Sequence, residues 1–156
     1  MSNTGRRRSP RPAKQPGTPM IGSLLRLPHE VVVSRMLAAL NSNGFDISAT
    51  ELGVFLYPGP DGRRPIDLAR QCQMTRQAMN YVLAGLERKG YIERRTGAGA
   101  AARVVRLTHR GWAMVAPIRD CVAAIEREWA AHLGAQRFKV LRETLRDLSQ
   151  WLGKLG

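Results

Sequence analysis

The chain has 156 residues, 44% of them hydrophobic, which fits one domain with or without extensions around a modest core. Twenty-five Lys and Arg against twelve Asp and Glu leave a net charge of +13, a field that favours polyanions such as nucleic acid or an acidic membrane surface. Two cysteines are too few for a disulfide framework or a zinc site, and no run approaches the roughly 18–20 apolar residues of a membrane span, so a reducing, cytoplasmic setting without a membrane segment is expected.

The charge is unevenly placed. Residues 1–20 carry Arg6, Arg7, Arg8, Arg11 and Lys14 with no acid, and residues 61–111 carry eleven cations against four acids. Residues 1–19 are rich in Pro, Gly and Arg and nearly free of large apolar groups, which predicts a disordered basic tail. Its bland reading is a solubilising tail; its functional one is an arm that reaches phosphate or a groove. From about Gly22 to Ser42 the apolar positions Leu24, Leu25, Val31, Val32, Met36, Leu37 and Leu40 predict a helix that Pro28 should break or restart. Ser48 with Glu51 three residues later is a capping-box signature for a second helix, and PGPDGRRP is a turn-rich break.

IDLARQCQ at 66–73 predicts a short third helix, and Thr75 should cap a fourth that runs to Lys89, with Gly90 just past its end. YIERR and RVVRLT then read as two strands around the small-residue tip TGAGAAA. Thr108 should start a long helix kinked near Pro117. After Gly134 comes a last amphipathic helix with the stripe Phe138, Leu141, Leu145, Leu148, Trp151 and Leu152. The fold class is therefore mainly α with a small β-hairpin.

The stretch 75–88 carries the most chemistry. On a wheel of about 100° per residue, Ala78, Met79, Val82, Leu83 and Leu86 face inward, while Gln77, Ala84 and Arg88 lie opposite, flanked by Arg76, Asn80 and Tyr81. Arg can bond guanine edges in bidentate fashion, and Asn or Gln can do the same for adenine. A small Ala84 leaves room for close approach, and the free N–H groups at a helix start favour phosphate. A merely wet polar face would explain such a helix too. The short helix before it gives helix–turn–helix spacing. The basic hairpin behind it, with Arg94, Arg95, Arg103 and Arg106, completes a winged helix, and the whole points to double-stranded DNA.

PIDLARQCQMTRQAMNYVLAGLERKGYIERR followed by RVVRLTHRG resembles the winged-helix core of the MarR family of bacterial transcriptional regulators, a likeness that runs from roughly residue 24 to 155. The resemblance implies a winged helix–turn–helix lobe at about 46–109 and dimerisation helices at about 20–43 and 109–155. It also implies a homodimer whose paired recognition helices enter successive major grooves, and in most members repression that a small, often aromatic, acid relieves. The residues expected to meet bases or adjoining phosphates are Thr75, Arg76, Gln77, Asn80 and Tyr81, with Arg88, Arg94, Arg95, Arg103 and Arg106 mainly supplying charge. One departure stands out: family wings carry an acidic run and an Arg before the second strand, where this chain has Ala98, Gly99, Ala100 and Ala101. The tip has lost its charge, and the arginine tail is a candidate substitute.

Independently of the resemblance, the terminal helices offer more apolar surface than a small lobe can hide, and Trp129, Phe138 and Trp151 could anchor a dimer interface or cover their own lobe. Met36, Phe55, Tyr57, Trp112 and Met114 are candidates for an effector pocket, with core packing as the plainer reading. No enzyme is expected. His29, His109 and His132 are scattered, Glu126 and Glu128 do not share a helical face, and GAGAAA sits in a hairpin rather than ahead of a helix. Neither a cofactor nor a metal is implied. The alternatives within reach are a nonspecific architectural DNA-binding protein and a winged helix used as a protein-interaction module.

Overall fold

The computed structural model describes residues 19–59, 61–96 and 103–153; the basic tail up to residue 18 and the wing tip at 97–102 lie outside them. Seven helices and one hairpin follow in the order α1 (Ile21–Ser42), α2 (Ala49–Phe55), α3 (Pro65–Gln71), α4 (Arg76–Arg88), β1 (Ile92–Thr96), β2 (Arg103–Leu107), α5 (His109–Ala113), α6 (Val115–Leu133) and α7 (Ala135–Leu152).

Local chemistry sets most of these boundaries. Ser48 and Glu51 form the expected capping box: the Ser48 side chain accepts from the Glu51 N–H and the Glu51 carboxylate accepts from the Ser48 N–H at 2.8 Å. Thr75 caps α4 through the Ala78 N–H, and Thr108 caps α5 through the Gly111 N–H. Three helices end alike. After α1, α3 and α4 the chain turns left-handed and closes two bonds back onto the last turn, at Gly44, Gln73 and Gly90 respectively. Two of the three are glycines; Gln73, at φ 52°, holds the turn between α3 and α4 against its side chain.

Pro28 does not break the first helix as expected: α1 runs through it. Every residue from Ile21 to Glu30 is exposed, so water can reach the carbonyl that loses its helical partner. Pro117 does interrupt the long helix, but the break falls at Met114, between α5 and α6. A proline lacks the N–H that would bond the carbonyl four residues back, here Ala113, so the joint forms upstream of the proline itself. The turn-rich break also hides a structural contact: Arg63 pairs with Val105 on the free edge of β2, donating at 3.0 Å and accepting at 2.7 Å.

The core gathers Met36 and Leu40 of α1, Leu52, Val54 and Phe55 of α2, Leu68 of α3, Met79, Leu83 and Leu86 of α4, Tyr91, Ile92 and Val105 of the hairpin, and Met114. Each fully buried large apolar side chain contributes on the order of 1.5–3 kcal/mol relative to exposure. Met36, Phe55 and Met114, considered for an effector pocket, are therefore core residues, while Tyr57 and Trp112 are exposed. α7 contributes no buried residue and packs mainly on α6. No helix among the described residues is long and apolar enough to cross a membrane.

Candidate nucleic-acid interface

The α4 helix is buried on one side and open on the other. Met79, Val82, Leu83 and Leu86 face the core. Ala78, expected with them, is exposed: it lies at the edge of the stripe in a first turn, Arg76 to Ala78, that stands clear of the lobe. Gln77, Asn80, Tyr81 and Arg88 are exposed as well, Tyr81 to 81% of its full surface, and Ala84 is half-buried. A large aromatic that open at the middle of a helix has given up nearly all of its burial energy. Among the described residues, none of the Arg76, Gln77, Asn80, Tyr81 and Arg88 side chains has an ion-pair or hydrogen-bond partner. Some cations elsewhere are occupied, Arg64 by Asp67 and Arg35 by Glu128 among them. On this face of α4 the donors are left free, next to those N–H groups of the α4 start that Thr75 does not cap.

The other end of α4 is held from two sides. Glu51, on α2, accepts from the Lys89 ammonium at 2.9 Å while also serving the capping box, and Asp46 lies 3.4 Å from the same ammonium. Burial pushes the Glu51 carboxyl up, but the bonds from Lys89 and Ser48 outweigh it and hold the group below the usual carboxylate range. The hydrogen bond to Glu51 correspondingly raises Lys89. Gly85 makes this approach possible, because a Cβ there would lie 2.9 Å from Glu51 Oε1. The Asp46 N–H donates to the Tyr91 hydroxyl at 2.9 Å, which ties the start of α2 to the start of the hairpin.

The hairpin sorts its arginines by strand alternation. Ile92 pairs with Leu107, Arg94 with Val105 and Thr96 with Arg103, while Glu93 pairs with Arg106 and Arg95 with Val104. Ile92 and Val105 are buried, so Arg94 shares the inward face; its side chain is 19% exposed and its Nε lies 3.1 Å from Glu87 Oε2 of α4. Arg95 is turned outward, 69% exposed, with Glu93 at 2.7 Å. Arg106 is exposed on that outer face, its stem lying over Gly62, where a Cβ would come within 2.7 Å of Arg106 Cγ. Of Arg103 only its register, opposite Thr96, is described. Thr75 is exposed, with its hydroxyl engaged as the cap.

The ten residues singled out in sequence therefore separate. Thr75, Arg76, Gln77, Asn80, Tyr81 and Arg88 form one open surface, Arg95 and Arg106 share the outer face of the hairpin, Arg94 is turned against α4, and Arg103 lies on the same register face as Arg94. Arg63, exposed on the strand edge beside the hairpin, escaped sequence reading, because a one-residue pairing leaves no periodicity. Among the described residues no group of three His, Cys, Asp or Glu is placed to hold a metal ion.

Comparison with known proteins adds the relatives. A family model described as MarR family matches residues 45–103, the span from before α2 to the start of β2. No curated protein matches the chain. Among solved structures, a MarR family protein of Mycobacterium tuberculosis in complex with DNA is 28% identical, with a TM-score of 0.60 over 84% of this chain and 98% of that one. FabT of Streptococcus pneumoniae in complex with DNA is 21% identical, with a TM-score of 0.67 over 85% and 94%. The transcriptional repressor CouR, bound to a 23-mer DNA duplex, is 21% identical, with a TM-score of 0.65 over 83% and 92%.

Proposed function

We propose that the chain, whose residues 45–103 match the MarR family model, is a dimeric, sequence-specific DNA-binding transcription regulator of that family, a repressor that a small-molecule ligand releases. The observation that carries the reading is the open face of α4, where two guanidiniums, an amide pair and a tyrosine stand free beside the start of the helix. Arg76, Gln77, Asn80 and Tyr81 read base edges or adjoining phosphates, Thr75 sets the start of the helix against the backbone, and Arg88, Arg95, Arg103 and Arg106 add charge. The DNA-bound relatives support the same partner.

The dimer is supported by two unpartnered apolar surfaces. Leu141, Leu145, Leu148 and Leu152 make one exposed stripe on α7, with Val140 and Trp151 beside it; Met20, Ile21, Leu24, Leu25 and Leu27 are exposed at the start of α1. A second copy of the chain covers them and sets two recognition helices on neighbouring half-sites. For the ligand, the cleft between α1 and the start of α6 is the seat we favour. It is about 660 Å³, lined by Arg35, Ala39, Asn43, Pro117, Asp120 and Cys121, next to the Met114 joint. There Arg35 donates to Glu128 at 2.8 Å, a bond that an aromatic carboxylate can compete for.

Selection of bound duplexes from a random pool, followed by titration at several salt concentrations, tests the regulator reading. It predicts a two-fold symmetric consensus and a preference on the order of a thousandfold, with Arg76→Ala and Asn80→Ala both eroding that preference. Steep salt dependence without preference would assign the chain to architectural binding instead, the reading that the uncharged wing tip favours. Displacement by benzoate-class acids from wild type but not from Arg35→Ala tests the ligand seat.

A further inference from the structure

Arg94 is a basic residue of the wing, and charge alone would send it to a phosphate. Its surroundings assign it differently. The side chain lies on the inward face of β1, next in alternation to the buried Ile92 and opposite the fully buried Val105. Its Nε faces the Glu87 carboxylate at 3.1 Å, yet without the alignment of a hydrogen bond; it is, among the described residues, the buried side-chain nitrogen with no hydrogen-bond partner in the chain. Attraction to Glu87 therefore offsets the desolvation of this guanidinium. Glu87 sits in the last turn of α4, two residues before the Lys89 that Glu51 holds from the opposite side.

We propose that Arg94 is a positioning residue that couples the wing to the recognition helix through Glu87 and does not contact DNA. The inference rests on the DNA-binding reading and sharpens it. The base of the hairpin is anchored by the buried Ile92 and Val105 and by the Arg63 bridge. The Arg94–Glu87 pair adds a direct tie between the first strand and the end of α4, which sets the angle of the hairpin's outer face to the recognition helix. Arg95 and Arg106, on the outer face, then approach the duplex at a set angle to Arg76 and Asn80. The pair also explains why an acid is kept on a helix whose other charges, Arg76 and Arg88, are cationic.

The test uses the full chain and the duplex it selects, with binding measured across a salt series for wild type, Arg94→Met, Glu87→Gln and the double exchange Glu87→Arg/Arg94→Glu. Arg94→Met is expected to weaken binding by about tenfold, a size common for coupled neighbours, with the slope of log K against log salt unchanged. Glu87→Gln, which makes the protein more positive, is expected to weaken binding as well, and the double exchange to recover most of the loss. Circular dichroism melts show whether each variant is folded, and the exchanged pair keeps the experiment decisive should a single variant prove unstable. A slope that falls by about 0.9 in Arg94→Met marks a lost phosphate contact and overturns the proposal, as does tighter binding by Glu87→Gln or unchanged affinity in Arg94→Met. A wild-type chain that prefers no duplex sinks the regulator reading itself; one that shows preference while the variants fail these expectations sinks only the coupling.

Discussion

Gly111→Ala should be among the most damaging single-methyl changes the fold can receive. A Cβ at 111 would lie 2.1 Å from the Tyr91 carbonyl oxygen and 3.2 Å from its carbon. Non-bonded heavy atoms settle at about 3.5 Å, so α5 must lift from the end of β1 by roughly 1 Å or more. The lift strains two bonds at the same place: the Thr108 N–H to the Tyr91 carbonyl at 3.1 Å, and the Thr108 hydroxyl to the Gly90 carbonyl at 2.6 Å. Losing both costs about 2 kcal/mol, and loosened packing around the buried Tyr91 and Met114 adds about 1–2 kcal/mol, whereas Ala in place of Gly returns about 1 kcal/mol of helix propensity. The net is a loss of about 2–3 kcal/mol, or a fall of roughly 5–10 °C in melting temperature for a domain of this size. Thermal melts at matched protein concentration measure it. Gly22→Ala in α1 and Gly53→Ala in α2 are the controls, because a Cβ at either meets nothing within 4 Å. They should leave stability unchanged or raise it by up to about 1 kcal/mol. If Gly111→Ala melts together with these controls, the close approach of α5 to β1 is not a constraint and the reasoning fails.

Gln73→Gly should stabilise the lobe by about 0.5–1 kcal/mol, because the left-handed turn between α3 and α4 then carries no side-chain penalty, and Gln73→Val should destabilise it; urea midpoints for the pair decide. Glu51, held low by Lys89 and Ser48, contributes stability that is complete above its unfolded value of about 4.3 and lost as pH falls through the lower folded value. Glu51→Gln should therefore be weaker than wild type at pH 6 and should lose less on acidification to pH 3, by urea unfolding at each pH. Leu145→Arg places a charge in the middle of the exposed α7 stripe, on a helix that buries no side chain of its own, so it should yield a folded monomer by sedimentation and reduce DNA affinity with the recognition face intact.

What could be read in the sequence follows from how local each signal is. The Ser48–Glu51 box, the Thr75 and Thr108 caps and Gly90 lie within a few residues of the groups they satisfy, and all appear in place. The open face of α4 was likewise visible on a helical wheel, since one helix decides its own two sides. Signals that depend on a second element were harder. Arg94 looked like one more basic wing residue, although alternation from the apolar Ile92 already placed it inward; its partner Glu87 is on another element, so only the fold brings them together. The Arg63 bridge to Val105 spans forty-odd residues with one pair and no pattern. The list of apolar candidates for a pocket could not distinguish a cavity wall from a filled core, because Met36, Phe55 and Met114 carry the same composition in either role.

As the surface proposed to meet a second copy, the α7 helix, which rests on α6 and buries no side chain of its own, would tie the output of this protein to its abundance. With the proposed pairing, each newly made chain is only half of a working reader, and operator occupancy at low copy number climbs with the square of the amount made. Gene dosage then acts as a threshold on repression, set by how tightly a leucine-lined edge finds its twin.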